Sequence, residues 1–222
     1  MDSSVPVAIV MIGPPGSGKG TQSSKLSAFL GIPKISTGDI LRQVASGSSR
    51  NSEEIRAIME TGGLVPDSIL ADLVTSRLSE PDCKKGFILD GYPRNIDQVI
   101  FLESLLQVKN YKLLVVEIAV PEDVLLKRVT GRFSCRGCGA IYNKYFLRPR
   151  NEKICDQCGS ADFAYRSDDN ELVVRERLRE YTLQTLPVLD YYKAKHLLVS
   201  VDGNRSLDEV YDELTCHLSK VL

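Results

Sequence analysis

The sequence predicts an α/β chain in which strands and helices alternate to build a doubly wound parallel sheet. Three observations carry that expectation. Five apolar runs of strand length recur along the 222 residues, helix-spaced apolar residues lie between them, and a glycine-rich turn follows the first run.

The first run is Val5-Pro-Val-Ala-Ile-Val-Met-Ile12. Unbroken rather than alternating apolarity suits a strand covered on both faces. Gly86–Asp90, Lys112–Val120 and His196–Val201 repeat the pattern, and Pro33–Ser36 is a short version of it. Ile96, Val99, Ile100, Leu102, Leu105 and Leu106 carry helical spacing. Two stretches break the alternation. Residues 37–65 show helical pattern only. Residues 133–165 are rich in Gly, Cys, Tyr, Asn and Pro with short alternating pieces such as Ala140-Ile-Tyr142, which suits small antiparallel hairpins. Both are predicted to be inserts in the α/β core.

Lys and Arg total 28 against 29 Asp and Glu. That balance argues against a general nucleic-acid binder, which needs a basic excess to neutralise phosphates. No segment reaches the roughly 18 apolar residues of a membrane helix, and the start, Met-Asp-Ser-Ser, is acidic where a signal peptide is basic. A cytoplasmic, reducing location is expected, with no membrane partner.

After the first strand comes Gly13-Pro-Pro-Gly16-Ser17-Gly18-Lys19-Gly20-Thr21-Gln22. Glycines let the backbone turn its N–H groups inward around an anion, the following helix adds positive potential at its start, and Lys19 reaches the terminal phosphates. The residue after Lys19 is Gly20, so the hydroxyl commonly placed on Mg²⁺ is missing there. This counts against GTPases and motor ATPases and favours a magnesium ion held through water and carboxylates. Asp90, at the end of its strand, is the natural acidic partner, unless it simply caps the next turn.

Cys135-x2-Cys138 and Cys155-x2-Cys158 are separated by sixteen residues, and each pair is followed by Gly. The spacing matches a four-thiolate structural zinc site, with two disulfides as the rival reading. A small hairpin insert has little core of its own, and a metal supplies folding energy. Four thiolates leave no open position for catalysis. Cys216 reads as an ordinary helix-face residue. A zinc ribbon with Arg136, Lys144, Arg148, Arg150 and Lys153 among Tyr142, Tyr145 and Phe146 also fits a nucleic-acid-binding ATPase, the reading from another function class. Arg42, Arg94, Arg128, Arg132, Arg166, Arg175 and Arg177 all fall near turn or helix ends. Cations converging on a phosphate loop are what phosphoryl transfer requires.

Gly13–Gln22, Ser36-Thr-Gly-Asp-Ile-Leu-Arg42 and Asp90-Gly-Tyr-Pro-Arg94 together resemble the adenylate kinases, in their long-lid, zinc-bearing variant. The third motif is specific to nucleoside monophosphate kinases, and the resemblance spans essentially the whole chain. It implies a P-loop core at 1–35, 66–130 and 170–222 with a five-stranded parallel sheet, a helical AMP-binding insert at 36–65, and a small β lid bearing zinc at 131–169. It implies reversible transfer, MgATP + AMP to MgADP + ADP. On the ATP side the matching positions are Gly16, Ser17, Gly18, Lys19, Gly20, Thr21, Arg128, Arg132, Ile141 and Tyr142, with Asn204 and Arg205 near the base. On the AMP side they are Thr37, Arg42, Gly63, Leu64, Val65, Gly91, Tyr92, Pro93, Arg94 and Gln98, the last hydrogen-bonding the adenine edge. Arg166 and Arg177 meet the phosphates, and with Lys19, Arg94 and Arg132 they form the implied catalytic set. Asp90 and Asp39 would hold Mg²⁺ through water, and Cys135, Cys138, Cys155 and Cys158 the zinc. The family implies ATP and AMP as partners, no nucleic acid, and a monomer. Tyr92 stands where Phe is usual, and Gly63 stands where a longer basic side chain is frequent, so only a backbone role carries over there. A GTP:AMP phosphotransferase of the same architecture is the nearest alternative.

Overall fold

The computed structural model describes residues 5–219; the acidic start at residues 1–4 lies outside them. The central sheet joins five strands: β1 (Val7–Ile12), β2 (Lys34–Ser36), β3 (Gly86–Asp90), β4 (Lys112–Ala119) and β8 (Leu198–Asp202). Their order is β2-β3-β1-β4-β8, and every neighbouring pair is parallel. The five expected strands are all present, within two residues of their predicted ends.

β1 explains the unbroken apolarity. Ala8, Val10 and Ile12 face one core, with Val74, Leu102 and Val188. Val7, Ile9 and Met11 face the other, with Leu26, Val210, Leu214 and Leu218. Helices α4 (Asp67–Leu78), α5 (Ile96–Val108) and α8 (Leu186–Ala194) supply the first layer; α1 (Lys19–Leu30) and α9 (Leu207–Ser219) supply the second. A strand between two helical layers has no polar face to show, so its sequence cannot alternate.

The chain crosses to opposite sides of the sheet after β1 and its neighbours, which opens a crevice beyond their carboxyl ends, the usual ligand position in such sheets. Both predicted inserts border it. Helices α2 (Thr37–Ala45) and α3 (Arg50–Thr61) follow β2. Their N-caps are Ser36, accepting from the Asp39 N–H at 3.2 Å, and Ser49, accepting from the Ser52 N–H at 3.2 Å. After α6 (Glu122–Thr130), strands β5 (Arg132–Cys135), β6 (Ile141–Asn143) and β7 (Phe163–Ala164) form a separate antiparallel sheet in the order β6-β5-β7. Its core is a ring cluster, Phe133 on Tyr142 at 5.7 Å and on Phe163 at 5.4 Å between centroids.

From α7 (Glu171–Glu180) the helix runs into α8 through a π turn at Tyr181–Thr185, where the Leu186 N–H bonds the Tyr181 carbonyl five residues back. Pro187 has no N–H, so it donates nothing to the turn before it. The sequence pattern did not reveal this turn. No helix among the described residues is long and apolar enough to cross a membrane.

Candidate active site

A cavity of about 1070 Å³ occupies the crevice and takes its walls from the core, from both inserts and from the long helix. The glycine-rich turn forms one end. Gly16 has φ +84°, and a Cβ there would stand 2.7 Å from Val129 Cγ2, so both conformation and space require glycine. A side chain at Gly20 would begin 3.3 Å from Asp90 Oδ2 and 3.5 Å from Lys34 Nζ. Glycine after Lys19 therefore keeps the Asp90 carboxylate against the start of α1, with Lys34 Nζ 3.6 Å away.

Lys19 donates from Nζ to the Gly13 and Pro14 carbonyls at 2.6 and 2.9 Å. Burial pulls its pKa from 10.5 down to about 8; Asp90 opposes the shift, while Arg94, Arg177 and Arg132 add to it. Burial likewise lowers Arg94 and Arg166 to about 10, with neighbouring arginines reinforcing both.

At the other end, the turn after β3 presents Arg94. Its Nε donates to the Gly91 carbonyl at 2.8 Å, and Thr37 Oγ1 donates to the same carbonyl at 2.9 Å. Arg94 N–H donates to Gln98 Oε1 at 2.7 Å, and Gln98 Nε2 donates to Asp67 Oδ1 at 2.6 Å. Gln98 and Tyr92 are buried and lie behind the cavity wall rather than on it. Gly63, Leu64, Val65, Gly91 and Pro93 lie on the wall.

Arg132 chelates Asp169 from Nε at 2.8 Å and Nη2 at 2.5 Å. Arg177 Nη1 donates to Asp168 Oδ2 at 3.1 Å and lies 3.6 Å from Asp169. Asp39 is bound by Arg42, and Arg166 Nη2 sits 3.7 Å from it. Arg128 Nη1 donates to the Gly203 carbonyl at 2.9 Å, beside Asn204 and Arg205 on the wall; Arg205 also pairs with Glu213. Six of the seven arginines picked out at turn and helix ends thus line the cavity. Arg175 does not: it pairs with Glu171 along the exposed side of α7. Its spacing from Arg177, two residues, puts it about 200° around the helix. Asp168, Asp169, Lys34 and Thr185 carry no motif that points to the site, yet they stand at it. Asp168 and Asp169 are buried polar residues beside cationic ones, a signal only the fold exposes.

Ten Lys and Arg but only five Asp and Glu line the cavity. That excess favours a polyanion, and the volume of about 1070 Å³ is at the upper end of ligand pockets, which run to about 1,000 Å³.

Tyr142 lies on the cavity wall beside Ile141. Its side chain turns away into the small sheet's core, where its hydroxyl accepts from the Asp156 N–H at 2.8 Å and lies 3.3 Å from Cys155 Sγ. With its oxygen engaged by Asp156, its proton is free to point at that sulfur.

The four sulfurs of Cys135, Cys138, Cys155 and Cys158 lie within 4.8 Å of one another, with 3.5 Å between Cys135 and Cys158 and 3.6 Å between Cys138 and Cys155. A tetrahedral zinc with about 2.3 Å bonds sets sulfurs about 3.8 Å apart, whereas a disulfide needs about 2.0 Å. The donor set fits a four-thiolate metal site and not two disulfides. Cys83 is buried against Arg77 Nη1 at 3.1 Å, remote from the cluster, and Cys216 is exposed on α9.

A family model described as adenylate kinase matches residues 11–197. An adenylate kinase of Rickettsia bellii (strain RML369-C) is 44% identical over 214 residues, covering 96% of this chain and 98% of the relative. One from Thermodesulfovibrio yellowstonii (strain ATCC 51303 / DSM 11347 / YP87) is 45% identical over 213 residues, covering 96% and 99%. One from Archaeoglobus fulgidus (strain ATCC 49558 / DSM 4304 / JCM 9628 / NBRC 100126 / VC-16) is 42% identical over 214 residues, covering 96% and 98%. A phosphate loop and a Gly91–Arg94 turn facing each other across one cationic cavity, and matches of this extent, place the chain in the adenylate kinase family.

Proposed function

We propose that the protein catalyses reversible phosphoryl transfer, ATP + AMP to 2 ADP, by direct attack of an AMP phosphate oxygen on the γ-phosphorus as the bond to the β-phosphate oxygen breaks. The observation that carries this is that both anion-binding ends, Lys19 on its loop and Arg94 on its turn, open into a single cavity lined by arginines from separate elements. No nucleophilic side chain is required, and the work is positioning and charge stabilisation.

Gly16 to Thr21, Arg128, Arg132, Ile141, Asn204 and Arg205 are assigned to ATP, with the backbone of Tyr142. Thr37, Arg42, Gly63 to Val65, Gly91, Pro93 and Arg94 are assigned to AMP. Gln98 and Tyr92 act from behind the wall, Gln98 by fixing the Arg94 backbone; contact of Gln98 with the adenine edge would need its bonds to Arg94 and Asp67 to be exchanged. Arg166 and Arg177 serve the phosphates between the two sites. A fixed guanidinium stabilises the migrating phosphoryl more in the transition state than before it. Mg²⁺, when bound with ATP, neutralises phosphate charge. Asp90 is the residue placed to hold it through water; Asp39 is second, since Arg42 and Arg166 already hold its carboxylate.

Residues 36–65 and 131–169 are proposed as the moving inserts that close over the nucleotides and exclude water from the γ-phosphate. Zinc on the four cysteines would let the lid move as one body. The test is initial rates with ATP or GTP as donor and AMP, CMP, UMP or GMP as acceptor. ADP formation from ATP and AMP, without nucleic acid, is expected; turnover that depends on RNA and not on AMP would replace this proposal with the nucleic-acid-stimulated ATPase.

A further inference from the structure

Arg94 sits in an unfavourable place for a cation. It is half-buried, with Arg177 and Arg42 as like-charged neighbours and Asp90 as the opposing charge. Its position has to be imposed by its backbone. The N–H of Arg94 is fixed by Gln98, from its own helix start. The carbonyl is fixed from another element: Thr185 Oγ1 donates to it at 2.9 Å across 91 residues of sequence. Thr185 is buried and lies on the cavity wall, as the last residue of the π turn.

The π turn decides where that hydroxyl points. Arg177 and Thr185 are eight residues apart, and on a regular α-helix they would project about 80° from each other. A π turn accommodates one extra residue, which winds this back by about one position and brings the two within about 20°. The same helix therefore presents the Arg177 guanidinium and the Thr185 hydroxyl to one cavity. Arg177 and Arg94 then share a ruler made of a single helix.

We propose that Thr185 is a positioning residue for phosphoryl transfer: its hydroxyl, aimed by the π turn at 181–185, fixes the Arg94 backbone so that Arg94 and Arg177 address the same phosphate. This rests on the assignment of Arg94 to the AMP phosphate.

Thr185→Val and Thr185→Ala both remove the hydroxyl and differ in size, whereas Thr185→Ser keeps it. Initial rates with varied AMP at saturating ATP are measured for each, with thermal melts alongside. Val and Ala should both lower kcat/KM for AMP about tenfold, and Ser should stay within about twofold of wild type. In an Arg94→Lys background the Thr185→Val loss should shrink below about twofold, because the group being positioned is gone. Equal rates for Val, Ala and wild type would overturn the proposal. So would an undiminished loss in the Arg94→Lys background, which would place the effect elsewhere. Failure of the wild type itself to convert ATP and AMP would sink the parent assignment instead.

Discussion

Arg132 and Asp169 form a two-pronged ion pair, Nε to Oδ2 at 2.8 Å and Nη2 to Oδ1 at 2.5 Å, that joins the first strand of the small sheet to the chain just before α7. Asp168, its neighbour, holds Arg177 through a single bond, Nη1 to Oδ2 at 3.1 Å. Two adjacent carboxylates thereby set the positions of two guanidiniums that the proposed chemistry needs.

Removing one partner of such a pair leaves the other charge partly buried and unpaired. Asp169→Ala should lower stability by about 2 kcal/mol, less than for a fully buried pair, because the Arg132 side chain keeps 19% of its surface in water. It should also lower kcat/KM about tenfold or more by freeing Arg132. Urea melts and steady-state rates check both, and unchanged rates would remove Asp169 from the account.

Lys19 gives a pH dependence. Its folded pKa of about 8 lies below the unfolded value, so between about pH 8 and 10.5 the unfolded chain holds the extra proton. Burying the ammonium therefore costs stability below pH 8, and that cost fades as pH rises through the window. Activity runs the other way, because the phosphates need the charged form. kcat/KM for ATP should fall above about pH 8, while kcat, which reports the bound enzyme, falls at higher pH. Calorimetric ATP titrations at pH 8.5 in buffers of different ionisation enthalpy should show proton uptake; no uptake would contradict this.

Lys19→Ala and Arg94→Ala should each lower kcat/KM by about 10²-fold or more without unfolding. Circular dichroism melts within a few degrees of wild type, together with the lost turnover, are the expected pair of results.

The small sheet buries little beyond Phe133, Tyr142, Cys135 and Cys155. Metal analysis should find one zinc per chain. Chelation should lower the melting temperature of the lid more than it changes the chemical step. A chelated protein that melts as the holoprotein does would exclude the structural role, and Tyr142→Phe should sensitise the site to chelators by taking away the hydroxyl beside Cys155.

The sheet was legible because a buried parallel strand has one solution in sequence, an unbroken apolar run such as Val7–Ile12. The phosphate loop and the cysteine pairs were legible because their chemistry is local. What depended on long-range contact was not. Gln98 shows only its distance from Arg94 in sequence, and its bond to Asp67 comes from α4. Tyr142 adjoins Ile141 on the chain but points away from it, since successive strand residues face opposite sides. Thr185 needed a π turn whose one sequence trace is Pro187. Asp168 and Asp169 read as ordinary surface acids until their arginine partners were in place.

In the proposed reaction one cavity brings an adenosine triphosphate and an adenosine monophosphate together for direct transfer. The most direct measurement is ADP production from ATP, AMP and Mg²⁺ with purified protein and no nucleic acid, followed in both directions. Two ADP per ATP consumed, and the reverse reaction from ADP alone, are expected of this reaction. ATP hydrolysis to ADP and phosphate at the same rate with or without AMP would contradict it.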